Sequence, residues 1–153
     1  MMRDSLPSPV RQWGMWCHLS SLAWIVVPVR FISLVVPLII WLLKREEHPF
    51  IDAQGKESLN FQISIVIYEI AITALWAVAG IFLFGSAFFA APALESSDAA
   101  GIAFVASLGI VFLVPVILLM LIGVFAAIAA IVAALKASNG ESYRYPFTLR
   151  FLK

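Results

Sequence analysis

Most of the chemistry available to this chain lies where a polar insert passes into an apolar run. Lys56, Glu57, Asn60 and Gln62 make that passage, and Glu69 follows inside the run. At 100° per residue, Glu69, Thr73 and Trp76 each fall within about 40° of Gln62 and so share one helix face with it. Glu69 lies about 12 Å along the helix from Phe61. A carboxylate at that depth in a bilayer is costly unless paired, so it either handles a proton or ion, or locks two helices together by hydrogen bonding. The second polar group is His18 with Ser20 and Ser21. A lone histidine supplies no metal site, and no nucleophile elbow, helical His-Glu-x-x-His motif or phosphate-binding glycine loop is present. The reading is therefore no catalytic, cofactor-binding or metal-ligating residues, and a hydrogen-bonding role for His18. A membrane enzyme using His18 or Glu69 is the alternative.

The elements that must position these groups are set by composition. With 63% hydrophobic and 12% charged residues and a mean hydropathy of +1.01, a chain of 153 residues has too little interior to hide its apolar surface in water. A bilayer is its expected solvent. The net charge of +1 comes with no clustered basic face of the kind that binds nucleic acid. The single cysteine, Cys17, excludes an intrachain disulfide and reads as a packing residue.

Apolar stretches cover residues 13–43, 61–93 and 99–135, each longer than the roughly 20 residues needed to cross a hydrocarbon core. The first is interrupted at Pro28 and Arg30, where a proline and a charge break a continuous crossing. The expected fold is an all-α integral membrane protein, a four-helix transmembrane bundle forming one domain over residues 1–153. Its helices cover about 11–27, 31–44, 57–91 and 99–137. The first two form a short hairpin and the last two are long. Charge placement sets the orientation, with Arg3, Arg11, Lys44, Arg45, Lys56, Lys136, Arg144, Arg150 and Lys153 on one side and Arg30 on the other. The loop 45–56, the tail 138–153 and both termini are then cytoplasmic, in a bacterial inner membrane. The loop 92–98, which carries Glu95 and Asp98 and no base, is outside.

Smaller features fill in this picture. Residues 1–12 read as a retained cytoplasmic lead-in. Trp13, Trp16, Trp24 and Trp41 suit headgroup depth. Pro115 is expected to kink the fourth helix. Ala126, Ala130 and Ala134 after Gly123, and the strip Ala74, Ala77 and Gly80, permit close helix approach, within one chain or between two. After Asn139-Gly140, a favourable helix stop, Tyr143, Tyr145, Phe147, Leu149 and Phe151 alternate with Arg144, Pro146, Thr148 and Arg150. That two-faced strip suits either an anionic leaflet or packing beneath the polar insert.

Several ordered motifs resemble a known family: Trp16-Cys17-His18-Leu19-Ser20, Pro37 through Trp41 to Lys44-Arg45, Pro49-Phe50-Ile51-Asp52, Gly55-Lys56-Glu57-Ser58-Leu59-Asn60-Phe61-Gln62, and Gly140-Glu141-Ser142-Tyr143-Arg144-Tyr145-Pro146. Together they look like the small bacterial Tic-twenty-like membrane proteins of unknown function, with a more distant likeness to the chloroplast inner-envelope import translocon subunit. The resemblance implies a non-enzymatic binding or assembly subunit linked to polypeptide or solute passage. Lys56, Glu57, Asn60 and Gln62 would form a polar entrance, and Tyr143, Arg144, Tyr145 and Arg150 an interface tail. The expected partners are the bilayer and a second copy or another membrane protein. A purely structural lipid-interacting role is a third reading.

Overall fold

The computed structural model describes residues 6–27, 29, 31–90 and 98–153. Among these residues the fold is all-helical. Helix α1 (Ser8–Leu19) runs into a 3₁₀ helix (Ser20–Ile25), followed by α2 (Ile32–Lys44), α3 (Pro49–Ala90) and α4 (Asp98–Ser138). Helices α3 and α4 are each long and apolar enough to cross a membrane. Pro28, Arg30, Arg3 and the loop residues 92–97 lie outside the described residues, so the hairpin turn and the outer loop expected there are not described.

The polar insert is mostly helix, which corrects the expected loop at 45–56. Only a short turn at residues 45–47 separates α2 from α3, and α3 starts at Pro49 rather than near Glu57. The reason is a complete start signal hidden under a polar composition. Pro49 takes the first helical position, where its missing N–H costs nothing. The His48 imidazole caps the helix, its Nδ1 accepting the Phe50 N–H at 3.0 Å. Asp52 sits in the first turn, favourable to the helix dipole, and pairs with Lys56 one turn on at 2.6 Å. The first helix also starts earlier than expected, at Ser8, with Pro9 in its opening turn.

The chain divides into two compact units. The first comprises Met1–Val66 with Val124–Lys153. Its centre holds Cys17, Ile51, Leu59, Phe61 and Ile65 together with Ala126, Ala129, Ala130, Ala133, Ala134 and Ala137, all buried. The small-residue strip at 126–134 is thus packed inside its own chain. Trp41, expected at the headgroups, is buried as well. Its indole N–H donates to Asp52 Oδ1 at 2.9 Å, and its ring lies so close to Gly55 that a Cβ there would collide with Trp41 Cδ1. Trp13 is half-buried, with the Lys44 ammonium 4.6 Å from its ring centroid.

The second unit is Ile67–Gly123. Helix α4 continues through Pro115, which cannot donate to the carbonyl four residues earlier, that of Val111. Trp76 supplies the missing donor, its indole N–H reaching Val111 O at 2.8 Å. One tryptophan of α3 therefore makes the proline in α4 tolerable. Beside this contact, Thr73, Gly80, Phe84 and Phe112 line an apolar groove of about 430 Å³. Large side chains such as Ile70, Leu75, Ile81, Phe82, Leu113 and Val116 face outward.

Candidate functional site

The first unit gathers polar side chains where α1 ends. When α1 tightens into the 3₁₀ helix, carbonyls of its last turn lose their helical partners. Ser58 of α3 donates to Cys17 O at 2.7 Å, and Ser21 donates to His18 O at 2.7 Å. His18 is fully buried and bonded at both ring nitrogens. Gln54 Oε1 lies 2.7 Å from Nε2 and, being an amide oxygen, can only accept, so Nε2 carries the hydrogen. Nδ1 then accepts the Tyr145 hydroxyl proton at 2.9 Å. The histidine is a neutral bridge joining α1 and α3 to the tail.

Tyr145 is the anchor of that tail. It is 3% exposed, its ring stacks on Phe61 with centroids 4.0 Å apart and planes 9° from parallel, and Tyr143 meets it edge-on at 5.2 Å. Burial pushes its phenol well above the usual tyrosine range, with the nearby Tyr143 and Glu57 adding to the shift.

Beyond the anchor, α3 holds the tail by its main chain. The Tyr145 N–H donates to Glu57 Oε1 at 2.9 Å, and Leu149 N–H donates to the Ser64 hydroxyl at 2.8 Å. Asn60 Oδ1 accepts from Phe151 N–H at 3.0 Å and Leu152 N–H at 2.8 Å, while its Nδ2 donates to Leu152 O at 2.9 Å. Arg150 adds an ion pair to Glu57 at 3.5 Å. Between anchor and clamp the chain turns at Phe147, whose φ of 56° is a left-handed conformation that few large residues adopt. Glu57, Asn60 and Ser64 succeed one another at three- and four-residue steps, so a single face of α3 replaces the neighbouring strand that an extended segment otherwise requires.

The sequence-expected residues are thus distributed unevenly. His18, Glu57, Asn60, Tyr145 and Arg150 come together. Tyr143 stands at the edge, its ring 5.8 Å from the Lys136 ammonium, and Arg144 is exposed. Lys56 faces outward to Asp52, and Gln62 is buried in the same unit. Glu69 is half-buried and belongs to the second unit, with Thr73 and Trp76. Sequence reasoning missed Gln54, Ser58 and Ser64. Gln54 lies in the stretch expected to be a loop, and only the start of α3 at Pro49 places it on a helix, whereas Ser58 and Ser64 lie inside the expected helix but carry no charge to single them out. Among the described residues, no three His, Cys, Asp or Glu side chains lie close enough to hold a metal ion.

No curated protein and no solved structure matches the chain. Residues 9–152 match a family model described as the magnetosome magnetite crystal formation protein family, MamF_MmsF. This finding overturns the Tic-twenty-like assignment, and the expectation of polypeptide or solute passage that rested on it goes too. The motifs that carried that resemblance all fall inside the matched span. The chain belongs to the MamF_MmsF family of magnetosome magnetite crystal formation proteins.

Proposed function

We propose that this chain is a non-enzymatic, multi-pass membrane protein that takes part in magnetite crystal formation as a binding or assembly subunit, with both termini on the cytoplasmic side. The observation that carries the reading is the family match over nearly the whole chain. Two features support the membrane setting: the lengths of α3 and α4, and the large apolar side chains they turn outward. Basic residues near the helix ends, Arg11, Lys44, Arg45 and Lys136, and in the tail, Arg144 and Arg150, support the orientation. The partners are the bilayer and other protein, a second copy included. His18 supports a structural more than a catalytic role, because both its nitrogens are engaged and it is sealed from solvent.

The test is complementation. The chain is expressed in a magnetite-forming cell that lacks its own member of this family, and crystal lengths are measured by electron microscopy. The expected result is a shift of the length distribution away from that of the deficient cell. An unchanged distribution, with the protein present in the membrane fraction, overturns the proposal.

A further inference from the structure

The tail is held in a way that does not depend on which chain supplies it. Four of its amides, those of Tyr145, Leu149, Phe151 and Leu152, donate to side chains of α3. One anchor, Tyr145, fills a pocket between Phe61 and His18, and one charge, Arg150, meets Glu57. This is a built peptide site: Asn60 and Ser64 are almost wholly buried and read main chain, while Tyr145 supplies the side-chain specificity. The segment reaches it from a single pivot. At the end of α4, Gly140 N–H bonds to Ala137 O and Glu141 N–H to Lys136 O, with Gly140 at φ +77°. That is a glycine-terminated chain reversal, and rotation there redirects the following residues as a unit.

We propose that this groove also receives residues 143–152 of a second copy, so that neighbouring chains exchange tails. A second copy presents the same anchor, arginine and main chain, so every contact made within one chain is available between two. The difference in free energy is then reduced to the cost of bringing two chains together, and confinement in one membrane raises their effective concentration. The inference goes beyond the proposed role in crystal formation and does not depend on it.

The Arg150 to Glu57 contact gives a test in the full-length protein. One copy carries Glu57→Gln and Arg150→Lys, and a differently tagged copy keeps the native residues. A carbodiimide joins a carboxylate to an amine only when the two touch. When the copies are expressed together in membranes, the expected product is an amide between the amine introduced by Arg150→Lys in the first copy and Glu57 of the second, identified by peptide mass spectrometry. Arg150→Lys alone is the control, since it reports whether the site reacts within a chain. Linkage in the control without linkage in the mixture overturns the proposal. Adding Tyr145→Ala to the first copy weakens only the tail that must cross, while the second copy's own tail keeps its anchor, and should lower the interchain yield several-fold. An unchanged yield would mean random collision and would also overturn it.

Discussion

Asn60 shows how much one side chain can hold. Its amide makes three bonds to the tail main chain, and Ala in its place removes all three and leaves the Phe151 and Leu152 amides without those partners. At about 1 kcal/mol net for each bond, Asn60→Ala should cost about 2–3 kcal/mol and speed tryptic cleavage after Arg150. Tyr145 separates packing from polarity. Tyr145→Phe keeps the stack on Phe61 and loses only the bond to His18, about 1 kcal/mol. Tyr145→Ala loses the ring as well, about 3–5 kcal/mol. Both are read from thermal unfolding in detergent. The raised phenol also predicts a pH effect. A group whose folded pKa lies above its ordinary value of 10.0 contributes stability that is complete below pH 10.0 and is lost as pH rises past it. The native protein should therefore lose stability above pH 10.0 more steeply than Tyr145→Phe, with the comparison cancelling the other groups that titrate there.

At the scale of elements, two helix contacts depend on residues that look replaceable. Gly55 has ordinary helical geometry, yet a Cβ there meets the Trp41 ring, so Gly55→Ala should destabilise by about 1–3 kcal/mol despite its better helix propensity. Trp76→Phe should leave the Val111 carbonyl without its donor, at about 1–3 kcal/mol. Pro115→Ala restores a backbone N–H for that carbonyl, so the double variant should be more stable than Trp76→Phe alone, a coupling measurable by a double-mutant cycle. These elements also show where sequence reading succeeds and fails. The long apolar runs from 61 and 99 identify α3 and α4, because hydrophobicity over that length has few other uses. The start of α3 is obscured because Lys44 to Glu57 is polar and polarity resembles a loop, although Pro49, His48 and Asp52 form a good start signal. The role of Trp76 is invisible, since it depends on Val111 and Pro115 lying opposite it.

Across the whole molecule, the polar residues divide between the two units. The expected shared face of Gln62, Glu69, Thr73 and Trp76 is split between them, since helical periodicity alone does not mark where one packed unit ends. The tail presents the same difficulty. Its alternating aromatics are legible, but the choice between lipid and protein rests on side chains of α3 up to ninety-two residues away. The central claim is that the Glu57, Asn60 and Ser64 face of α3 exists to hold that tail. Amide hydrogen exchange on the protein in nanodiscs tests it most directly. The account predicts slow exchange at Tyr145, Leu149, Phe151 and Leu152, with protection at Phe151 and Leu152 lost in Asn60→Ala. Fast exchange at all four amides of the native protein would contradict it.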